Sequence, residues 1–316
     1  MKPTFTIGVK CYNQSAYIEA ALEGAFAQTY RPLEIVVSDD GSTDGSWDII
    51  SRVAARHRDM PGVSVVLSRS ERNLGNMGNW MRIGELSHGD WIVKADGDDI
   101  SEPMRVARIA EAIAERGGSC HVVLHGATKI DPDGRPIGRI EVRYASAPLG
   151  AVMAFRRECF TAFPPPANNR LVDDEIFTRR ALMLGGELNI PEPLVRYRVG
   201  TGISSGLYDI RGPELRCIRQ FPESIAQSLA DLESLRGRIP DSAIAAMRER
   251  REGEIRHAAD YEELLSAPTF AARFRAWRRV HRPAPWRPGY VKLLAYLLPR
   301  RAGDAVLRLL GRLRYG

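Results

Sequence analysis

The chain has 316 residues, 44% of them hydrophobic and 27% charged, with four Cys and a formal net charge of +6. This composition is typical of a soluble globular protein with one large or two modest domains, and it excludes the disordered, collagen-like and disulfide-rich classes. No stretch approaches the roughly 20 apolar residues of a membrane-spanning helix, and no signal-peptide core follows Met1, so we expect a cytoplasmic protein.

The charge is concentrated at one end of the chain. Residues 1–200 contain 24 Lys and Arg against 26 Asp and Glu, whereas residues 267–316 contain 12 against one. Such a basic tail is compatible with nucleic acid, anionic lipid or an acidic protein as a partner, and the count alone does not choose among them.

Short β-branched runs alternate with longer stretches of helical periodicity over the first 124 residues. The spacing of apolar residues predicts strands at 5–10, 33–38, 63–67 and 91–95, with helices at 16–27, 45–56 and 76–86. This alternation is typical of βαβ units, so we predict an α/β fold with a Rossmann-like, mostly parallel sheet flanked by helices. In such sheets ligands bind beyond the C-terminal ends of the strands.

The pattern changes after residue 118. It predicts strands at 121–124, 150–156 and 188–198 and a helix at 174–184, then helices at 213–235, 241–265 and 269–280 and two short ones on either side of Pro299. Residues 119–200 hold too few apolar runs for a core of their own, so we assign 1–205 to one domain with halves 1–118 and 119–205. Residues 206–316 are expected to form a helical C-terminal extension that ends in the basic tail.

Three acidic residues crowd the end of the strand at 91–95. Asp96, Asp98 and Asp99 would repel one another without a cation, and their oxygens suit a hard divalent ion such as Mg²⁺ or Mn²⁺. An ion bound there would bridge a diphosphate and stabilise it as a leaving group. An Asp-rich turn that caps the next helix explains the same residues without a ligand.

A second acidic cluster follows the strand at 33–38. Asp39 and Asp40 stand at the strand end, where a carboxylate can accept hydrogen bonds from a nucleotide base or a ribose hydroxyl. Asp44 lies just before the next helix and fits an N-cap, with Gly41 supplying a positive φ. Two acidic strand ends in one sheet favour a binding site over two unrelated turns.

These segments together resemble a known family. The order and spacing of residues 5–13, 27–30 and 34–45 and of Asp96-Gly97-Asp98-Asp99 resemble the catalytic domain of glycosyltransferase family 2, which has the GT-A fold. The resemblance covers roughly residues 4 to 200. It implies that residues 1–118 bind a nucleotide sugar and that residues 119–205 bind the acceptor.

The resemblance also implies which residues bind the base and ribose of the donor. Tyr12 would stack on the base, and Asp40 together with Asp39 would bind the base and the ribose. Lys10 stands where the family usually has Pro or a small residue, and we count it with the donor-binding residues.

Further roles are implied nearer the transferred sugar. Asp96 would contact the ribose or the sugar, Asp98 would ligate Mn²⁺ or Mg²⁺, and Gly97 lies between these two acids. Arg198 resembles the family's Arg at a strand end and would pair with the diphosphate. A surface Arg on an edge strand explains Arg198 without a ligand.

Inverting sugar transfer needs a general base, because the attacking hydroxyl loses its proton. The stretch 171–180 resembles the family's acidic segment and, matched position by position, implies Asp174 as the catalytic base, with Glu175 or Asp173 as alternatives. Acids at a helix start are favoured by the helix dipole whether or not they react.

The resemblance therefore implies a metal-assisted inverting glycosyltransferase. Its donor would be a nucleoside diphosphate sugar, with UDP expected, and its acceptor a hydroxyl of a glycan or of a lipid-linked molecule. A nucleotidyltransferase is an alternative, but residues 11–15 supply no basic Gly-rich phosphate loop. A nucleic-acid or lipid-surface binding protein that uses the basic tail is another, and it leaves the acids on the sheet unexplained.

The tail of residues 267–316 interleaves aromatic residues and Leu with Arg. This pattern is typical of a helix that lies on an anionic membrane surface, here the inner face of the cell membrane, and nucleic acid is the less expected partner. A helix packed on the catalytic domain with its Arg outward explains the pattern equally well.

Overall fold

The computed structural model describes residues 3–116, 119–141, 150–201 and 211–280 together with Leu297, without the side chains of 211–221. Contacts within the chain divide it into two compact units, Met1–Gly202 and Ile203–Gly316. The two short helices predicted around Pro299 and most of the basic tail lie outside the described residues.

The first unit is built on a sheet whose first half is parallel. It contains β1 (Phe5–Cys11), β2 (Leu33–Asp39), β3 (Val63–Arg69) and β4 (Trp91–Asp96) in the order β3-β2-β1-β4. Every pair in this half is parallel, as βαβ units require. The predicted α/β fold is therefore confirmed, and the C-terminal ends of these strands lie at one edge.

The second half of the sheet is mixed, which corrects the expectation of a mostly parallel sheet. It contains β5 (Ile100–Ser101), β6 (Cys120–Ile130), β7 (Pro136–Ile140), β8 (Met153–Arg156) and β9 (Gly186–Arg198). The order continues as β4-β8-β6-β9-β5, with β7 beside β6. Only the pair β6-β9 is parallel among these described strands. The tight turn between β6 and β7 is too short for a helical crossover, so that pair is antiparallel.

Helices cover both faces of the sheet and bury two apolar layers. They are α1 (Ile18–Phe26), α2 (Ser46–Arg56), α3 (Gly75–Leu86), α4 (Arg105–Arg116), α5 (Glu158–Thr161) and α6 (Asp173–Leu184). Side chains of β4 alternate between the layers: Val93 belongs to the buried cluster that includes residues of α1 and α4, and Ile92 belongs to the one that includes Trp80 of α3 and Phe177 of α6. The next side chain on the Ile92 face is Lys94.

The second unit is helical in its described part. It contains α7 (Arg211–Ser234), α8 (Asp241–Ser266) and α9 (Phe270–Val280), and α8 packs against both of the others. Arg279 of α9 donates from Nε to Asp260 Oδ1 of α8 at 2.6 Å. Among the helices in the described ranges, none is both long enough and apolar enough to cross a membrane.

Candidate active site

The C-terminal ends of β1, β2 and β4 form one polar edge of the sheet. Cys11 is the register partner of Asp39, and Lys10 is the register partner of Asp96. The residues that follow these three strands are therefore neighbours in space, as expected for a ligand-binding edge. Tyr12, which follows β1, and the acidic clusters that follow β2 and β4 lie at this edge.

Tyr12 lies on a loop whose shape is fixed by hydrogen bonds to the loop after β2. Asn13 adopts a φ of 51°, and its N–H donates to Ser42 Oγ at 2.8 Å. Thr43 N–H donates to Asn13 Oδ1 at 2.9 Å. The side chain of Tyr12 itself is 45% exposed. Its stacking on a base stays a prediction that this accessible position allows.

Asp39 and Asp40 are both buried, but their carboxylates differ in how they are used. Asp39 Oδ2 accepts the N–H of Ser42 at 3.1 Å, whereas Asp39 Oδ1 has no hydrogen-bond partner in the described part of the chain. Asp40 accepts the N–H groups of Leu74 at 2.7 Å and Gly75 at 3.0 Å, one at each oxygen. Asp40 thus holds the start of α3, and Asp39 has the acceptor atom that a base or a ribose could use.

The acidic loop after β4 brings three carboxylates together, with Lys10 paired to Asp96 and with Arg198 and Arg105 as nearby cations. Asp98 Oδ2 accepts a hydrogen bond from Thr201 Oγ1 at 3.0 Å, and Asp99 Oδ1 accepts the N–H of Arg198 at 2.7 Å. Asp99 Oδ2 is buried without a partner in the described ranges. Burial and the neighbouring Asp96 raise the pKa values of Asp98 and Asp99 above their ordinary range.

This charge makes the loop a place that a cation would stabilise. Within the described residues, no three His, Cys, Asp or Glu side chains converge as a metal site. Asp98 therefore fits a divalent ion as one protein ligand, and water or a bound diphosphate would have to supply the others. The assignment of Mn²⁺ or Mg²⁺ to Asp98 stays a prediction.

Arg198 at the end of β9 is buried under the acidic loop. Its Nε donates to the carbonyl of Asp98 at 2.9 Å, and its Nη1 donates to the carbonyls of Asp131 at 3.0 Å and Pro132 at 2.6 Å. The guanidinium also lies over the ring of Tyr17, 4.7 Å from its centroid. These contacts give Arg198 a structural role that sequence reasoning did not propose. Its pairing with a diphosphate remains a prediction.

The first turn of α6 meets the sheet edge at a buried cluster of charges. Asp173 is fully buried and accepts hydrogen bonds from Lys94 Nζ at 2.6 Å, from Asn76 Nδ2 at 2.7 Å and from Lys10 Nζ at 3.0 Å. Lys10 Nζ also lies 3.2 Å from Asp96 Oδ1. The structure thus brings the predicted Lys10 and Asp96 together with Asp173.

Asp174, the predicted base, stands at the solvent side of this cluster. Its side chain is 20% exposed, and its Oδ1 accepts a hydrogen bond from Lys94 Nζ. Glu175 instead pairs with Arg179 one turn along α6, with 2.7 Å between Oε1 and Nη2. Asp173 is thus buried inside the cluster, and Glu175 pairs with Arg179 outside it. Asp174 is the acid of this turn that both contacts the cluster and is partly exposed.

The two neighbouring acids of α6 have pKa values shifted in opposite directions. Burial alone would raise the pKa of Asp173, but the charges of Lys10 and Lys94 outweigh it and hold that pKa low. Burial raises the pKa of Asp174, and the charge of Asp173 adds to this while Lys94 opposes it. A carboxylate with a raised pKa is a better proton acceptor than its neighbour, which suits Asp174 to general-base work.

Sequence reasoning missed Lys94, Asn76 and Gly150. A Cβ on Gly150 would collide with Asp174 Oδ1 and Lys94 Nζ, so the absence of a side chain there makes room for this ion pair. Lys94 could have been predicted from its position, because a charged residue inside a strand buried on both faces requires a buried partner. Nothing in the local pattern of Asn76 or Gly150 distinguishes them.

Comparisons with known proteins identify the family to which the chain is similar. The model of the family described as "Glycosyl transferase family 2" matches residues 6–175. The succinoglycan biosynthesis protein ExoO of Rhizobium meliloti is 25% identical over 286 residues, which are 83% of this chain and 77% of ExoO. The chain spans only 35% to 52% of the length of four other curated relatives.

Two solved structures share the fold. Residues 1–349 of TarS from S. aureus, in complex with UDP-GlcNAc, align with a TM-score of 0.58 and 18% identity over 96% of this chain and 83% of that one. The mannosyltransferase PcManGT from Pyrobaculum calidifontis, in complex with GDP-Man and Mn²⁺, aligns with a TM-score of 0.56 and 18% identity over 96% and 87%. At this identity the likeness concerns the fold alone, and it confirms the predicted GT-A architecture.

Proposed function

This chain belongs to glycosyl transferase family 2, and we propose that it is a glycosyltransferase that moves a sugar from a nucleoside diphosphate to a hydroxyl with inversion at the anomeric carbon. The proposed acceptor is a glycan or a lipid-linked molecule. The observation that carries the proposal is the placement of the partly exposed Asp174 carboxylate at the same sheet edge as the acidic loop of Asp96 to Asp99. One edge thereby offers an acceptor-side base and a donor-side acidic loop.

On the donor side, Asp40 together with Asp39 is proposed to bind the base and the ribose. Oδ1 of Asp39 is a buried oxygen without a described partner and supports this role. Tyr12 provides an accessible ring against which the base stacks. We favour UDP as the nucleotide. The complexes of TarS with UDP-GlcNAc and of PcManGT with GDP-Man make these two donors the first to test.

The proposed reaction is a single displacement. The acceptor oxygen forms a bond to the anomeric carbon as the bond from that carbon to the diphosphate oxygen breaks, and the nucleoside diphosphate leaves with the electron pair. The hydroxyl proton passes to Asp174. Asp98 would hold a divalent ion, which when bound offsets the negative charge that grows on the leaving group.

Donor-dependent release of nucleoside diphosphate by the full chain tests this proposal. We expect release with one nucleotide sugar of a panel in the presence of Mn²⁺ or Mg²⁺. Asp98→Ala and Asp174→Asn should each lower turnover by about 100-fold or more, whereas Asp59→Asn, at an exposed position away from the edge, should not. Unchanged turnover in both site variants would remove the assignments.

We also propose that the protein attaches peripherally to an anionic membrane surface through residues 267–316. Phe270, Phe274 and Trp277 form a stacked row on α9, with ring centroids 6.0 and 5.7 Å apart, and Phe270 is 59% exposed. Exposed Arg275 and Arg278 on the same helix suit anionic headgroups.

Flotation with vesicles that contain anionic lipid tests this attachment. The full chain should float, and a truncation before Ala267 and a Phe270→Ser/Phe274→Ser variant should not. Equal recovery of all three proteins in the bottom fraction would refute the attachment.

A further inference from the structure

Lys94 is a buried cation in the middle of the sheet. It lies on β4 between β1 and β8, its side chain is 1% exposed, and its Nζ is 5.5 Å from the centroid of the Trp80 ring. Taking an ammonium out of water is costly unless it is paired, so its position requires an explanation. Its acidic partners are Asp173 and Asp174 of α6.

These two acids do not depend on Lys94 equally. Asp173 has three donors, because Lys10 Nζ and Asn76 Nδ2 also bind it at 3.0 and 2.7 Å. For Asp174, Lys94 Nζ is the hydrogen-bond donor found among the described residues. Loss of Lys94 would therefore leave Asp173 bound on two sides, but it would leave Asp174 without its anchor.

We propose that Lys94 is a positioning residue for the reaction: its ammonium fixes Oδ1 of Asp174, so that the second carboxylate oxygen receives the proton of the acceptor hydroxyl. This inference rests on the proposed role of Asp174 as the base. β4 would then have two roles. The loop after it carries the acids of the donor side, and Lys94 within it orients the base of the acceptor side.

The space around the pair is shaped for it. Gly150 lies where a Cβ would collide with both Oδ1 of Asp174 and Nζ of Lys94. A methyl group at this position would push the two charges apart without removing either of them. The pair can therefore be disturbed by geometry alone as well as by charge.

The charges that face Asp174 set the sign of a pH effect. They are Lys94 and Asp96 of β4, Lys10 of β1 and Asp173 of α6. Lys94 opposes the rise in the pKa of Asp174 that burial causes. Removing that charge should raise this pKa further, and the acidic limb of the pH profile of kcat/KM should move to higher pH.

The test compares Lys94→Met with the double variant Lys94→Met/Asp173→Asn. The wild type has one more carboxylate than Lys in this cluster, and the double variant restores that balance while leaving Asp174 without its anchor. We expect both variants to lose about 100-fold in kcat with a nearly unchanged donor KM. The acidic limb should shift to higher pH in Lys94→Met, whereas in the double variant the loss of the Asp173 charge opposes that shift. The double variant should recover most of the thermal stability that Lys94→Met loses.

Gly150→Ala provides a second route that keeps every charge, with Gly186→Ala as its matched control because nothing lies within 4 Å of a Cβ there. We expect Gly150→Ala to lower kcat at an unchanged donor KM and Gly186→Ala to have no effect.

Three results would overturn the inference. The first is wild-type kcat in Lys94→Met. The second is recovery of kcat in the double variant, which would reduce Lys94 to a counter-ion of Asp173. The third, if the Lys94 variants do not fold, is wild-type kcat in Gly150→Ala. Full turnover in Asp174→Asn would instead refute the proposed function, so the two failures are distinguishable.

Discussion

Lys10 and Asp96 are register partners on neighbouring parallel strands, and Lys10 Nζ lies 3.2 Å from Asp96 Oδ1. Asn76 Oδ1 accepts a hydrogen bond from the same ammonium at 2.5 Å, and Asp173 lies at 3.0 Å. Lys10 was counted with the donor-binding residues because of its position in the segment that resembles the family, at the end of the first strand. In the folded chain its ammonium is the counter-charge that allows two carboxylates to lie together at the sheet edge.

Lys10→Met should therefore lower the stability of the protein, because it removes the partner of two carboxylates at once. It leaves Asp96 and the fully buried Asp173 with Lys94 as the remaining cation of the cluster, and breaking a buried pair in this way costs about 3 kcal/mol or more. Urea denaturation followed by tryptophan fluorescence would measure the loss. Arg52→Ala, which removes an exposed pair with Glu19, is the control and should cost less than about 1 kcal/mol.

The Lys10→Met effect should depend on pH with a defined sign. The pKa of Asp173 is held low in the folded chain, against burial, by Lys10 and Lys94. Such a group stabilises the fold above its unfolded pKa, and this stabilisation is lost as the pH falls through the folded pKa. The difference between wild type and Lys10→Met should be largest near pH 7 and should shrink below pH ~4. A difference that grows on acidification would contradict this assignment.

Arg198→Lys distinguishes the structural contacts of Arg198 from the predicted diphosphate contact. The guanidinium binds the carbonyls of Asp98, Asp131 and Pro132, and a single ammonium cannot reproduce this spread of donors. If these contacts dominate, Arg198→Lys and Arg198→Ala should both lose about 2–4 kcal/mol of stability. If the diphosphate contact dominates, Arg198→Lys should keep wild-type stability and most of its donor affinity.

The control for Arg198 lies two residues earlier on the same strand. Arg196 is 42% exposed and pairs with Glu102 at 3.1 Å, so Arg196→Ala should cost less than about 1 kcal/mol. Thermal unfolding and calorimetric titration with the donor would report both quantities. Equal stability of the Arg196 and Arg198 variants would argue against the structural role.

The strands of the parallel half of the sheet, and the helices between them, could be predicted from the sequence because they bury regular apolar patterns. β1 to β4 begin at the predicted residues, since short β-branched runs that are covered on both faces leave little choice of period. β7 (Pro136–Ile140) was missed because it is almost wholly exposed and has no apolar alternation to detect. The mixed second half of the sheet depends on how later strands insert beside β4, which no local pattern encodes.

The acidic residues of the site could be predicted from the sequence, but the residues that pair with them could not. The spacing of Asp96 and Asp98 predicted an acidic cluster. The lysine that neutralises Asp96, however, lies on β1, 86 positions earlier. Asp40 was predicted to bind the base and ribose, and this stays a prediction. Its carboxylate also receives two backbone N–H groups from the start of α3, at Leu74 and Gly75. Such a contact cannot be predicted from the sequence near Asp40, because backbone N–H groups are present in nearly every residue and these two belong to a helix far along the chain.

Asp44 supports the start of α2 and should do so in a pH-dependent way. Asp44 Oδ1 accepts the N–H of Ser46 at 3.0 Å, and Asp44 Oδ2 accepts the N–H of Ser15 at 2.9 Å. Burial would raise its pKa, but a hydrogen bond from Ser46 Oγ at 2.6 Å, together with these two N–H groups, holds it at about 2 against an ordinary value of 3.8. Asp44→Ala should cost about 1–2 kcal/mol near pH 6.

The cost of Asp44→Ala should shrink as the pH falls from about 4 towards 2, because the stabilisation by a carboxylate of lowered pKa disappears there. Urea denaturation at pH 6 and pH 3 measures the two values. Asp48→Ala is the control, since the exposed Asp48 in the first turn of the same helix contributes through the helix dipole, at about 0.5 kcal/mol. A cost of Asp44→Ala that does not change with pH would exclude the carboxylate as its source.

Gly97 lies between Asp96 and Asp98. A glycine is required there because its neighbours are packed closely, and not because the backbone adopts a positive φ. A Cβ there would lie 2.5 Å from Gln14 Oε1, 2.9 Å from the carbonyl oxygen of Lys10 and 3.0 Å from Ile18 Cδ1. The carbonyl of Lys10 belongs to a central strand and cannot move away, so Gly97→Ala should lose about 1–3 kcal/mol and should raise the KM for the donor by displacing Asp98. Gly253→Ala makes the same substitution inside α8, where the nearest atom to a new Cβ is 3.8 Å away, and should gain up to about 1 kcal/mol through helix propensity. Differential scanning calorimetry and donor titration of the two variants would test the contrast, and a Gly97→Ala protein with wild-type stability and donor KM would show that the loop accommodates the methyl group.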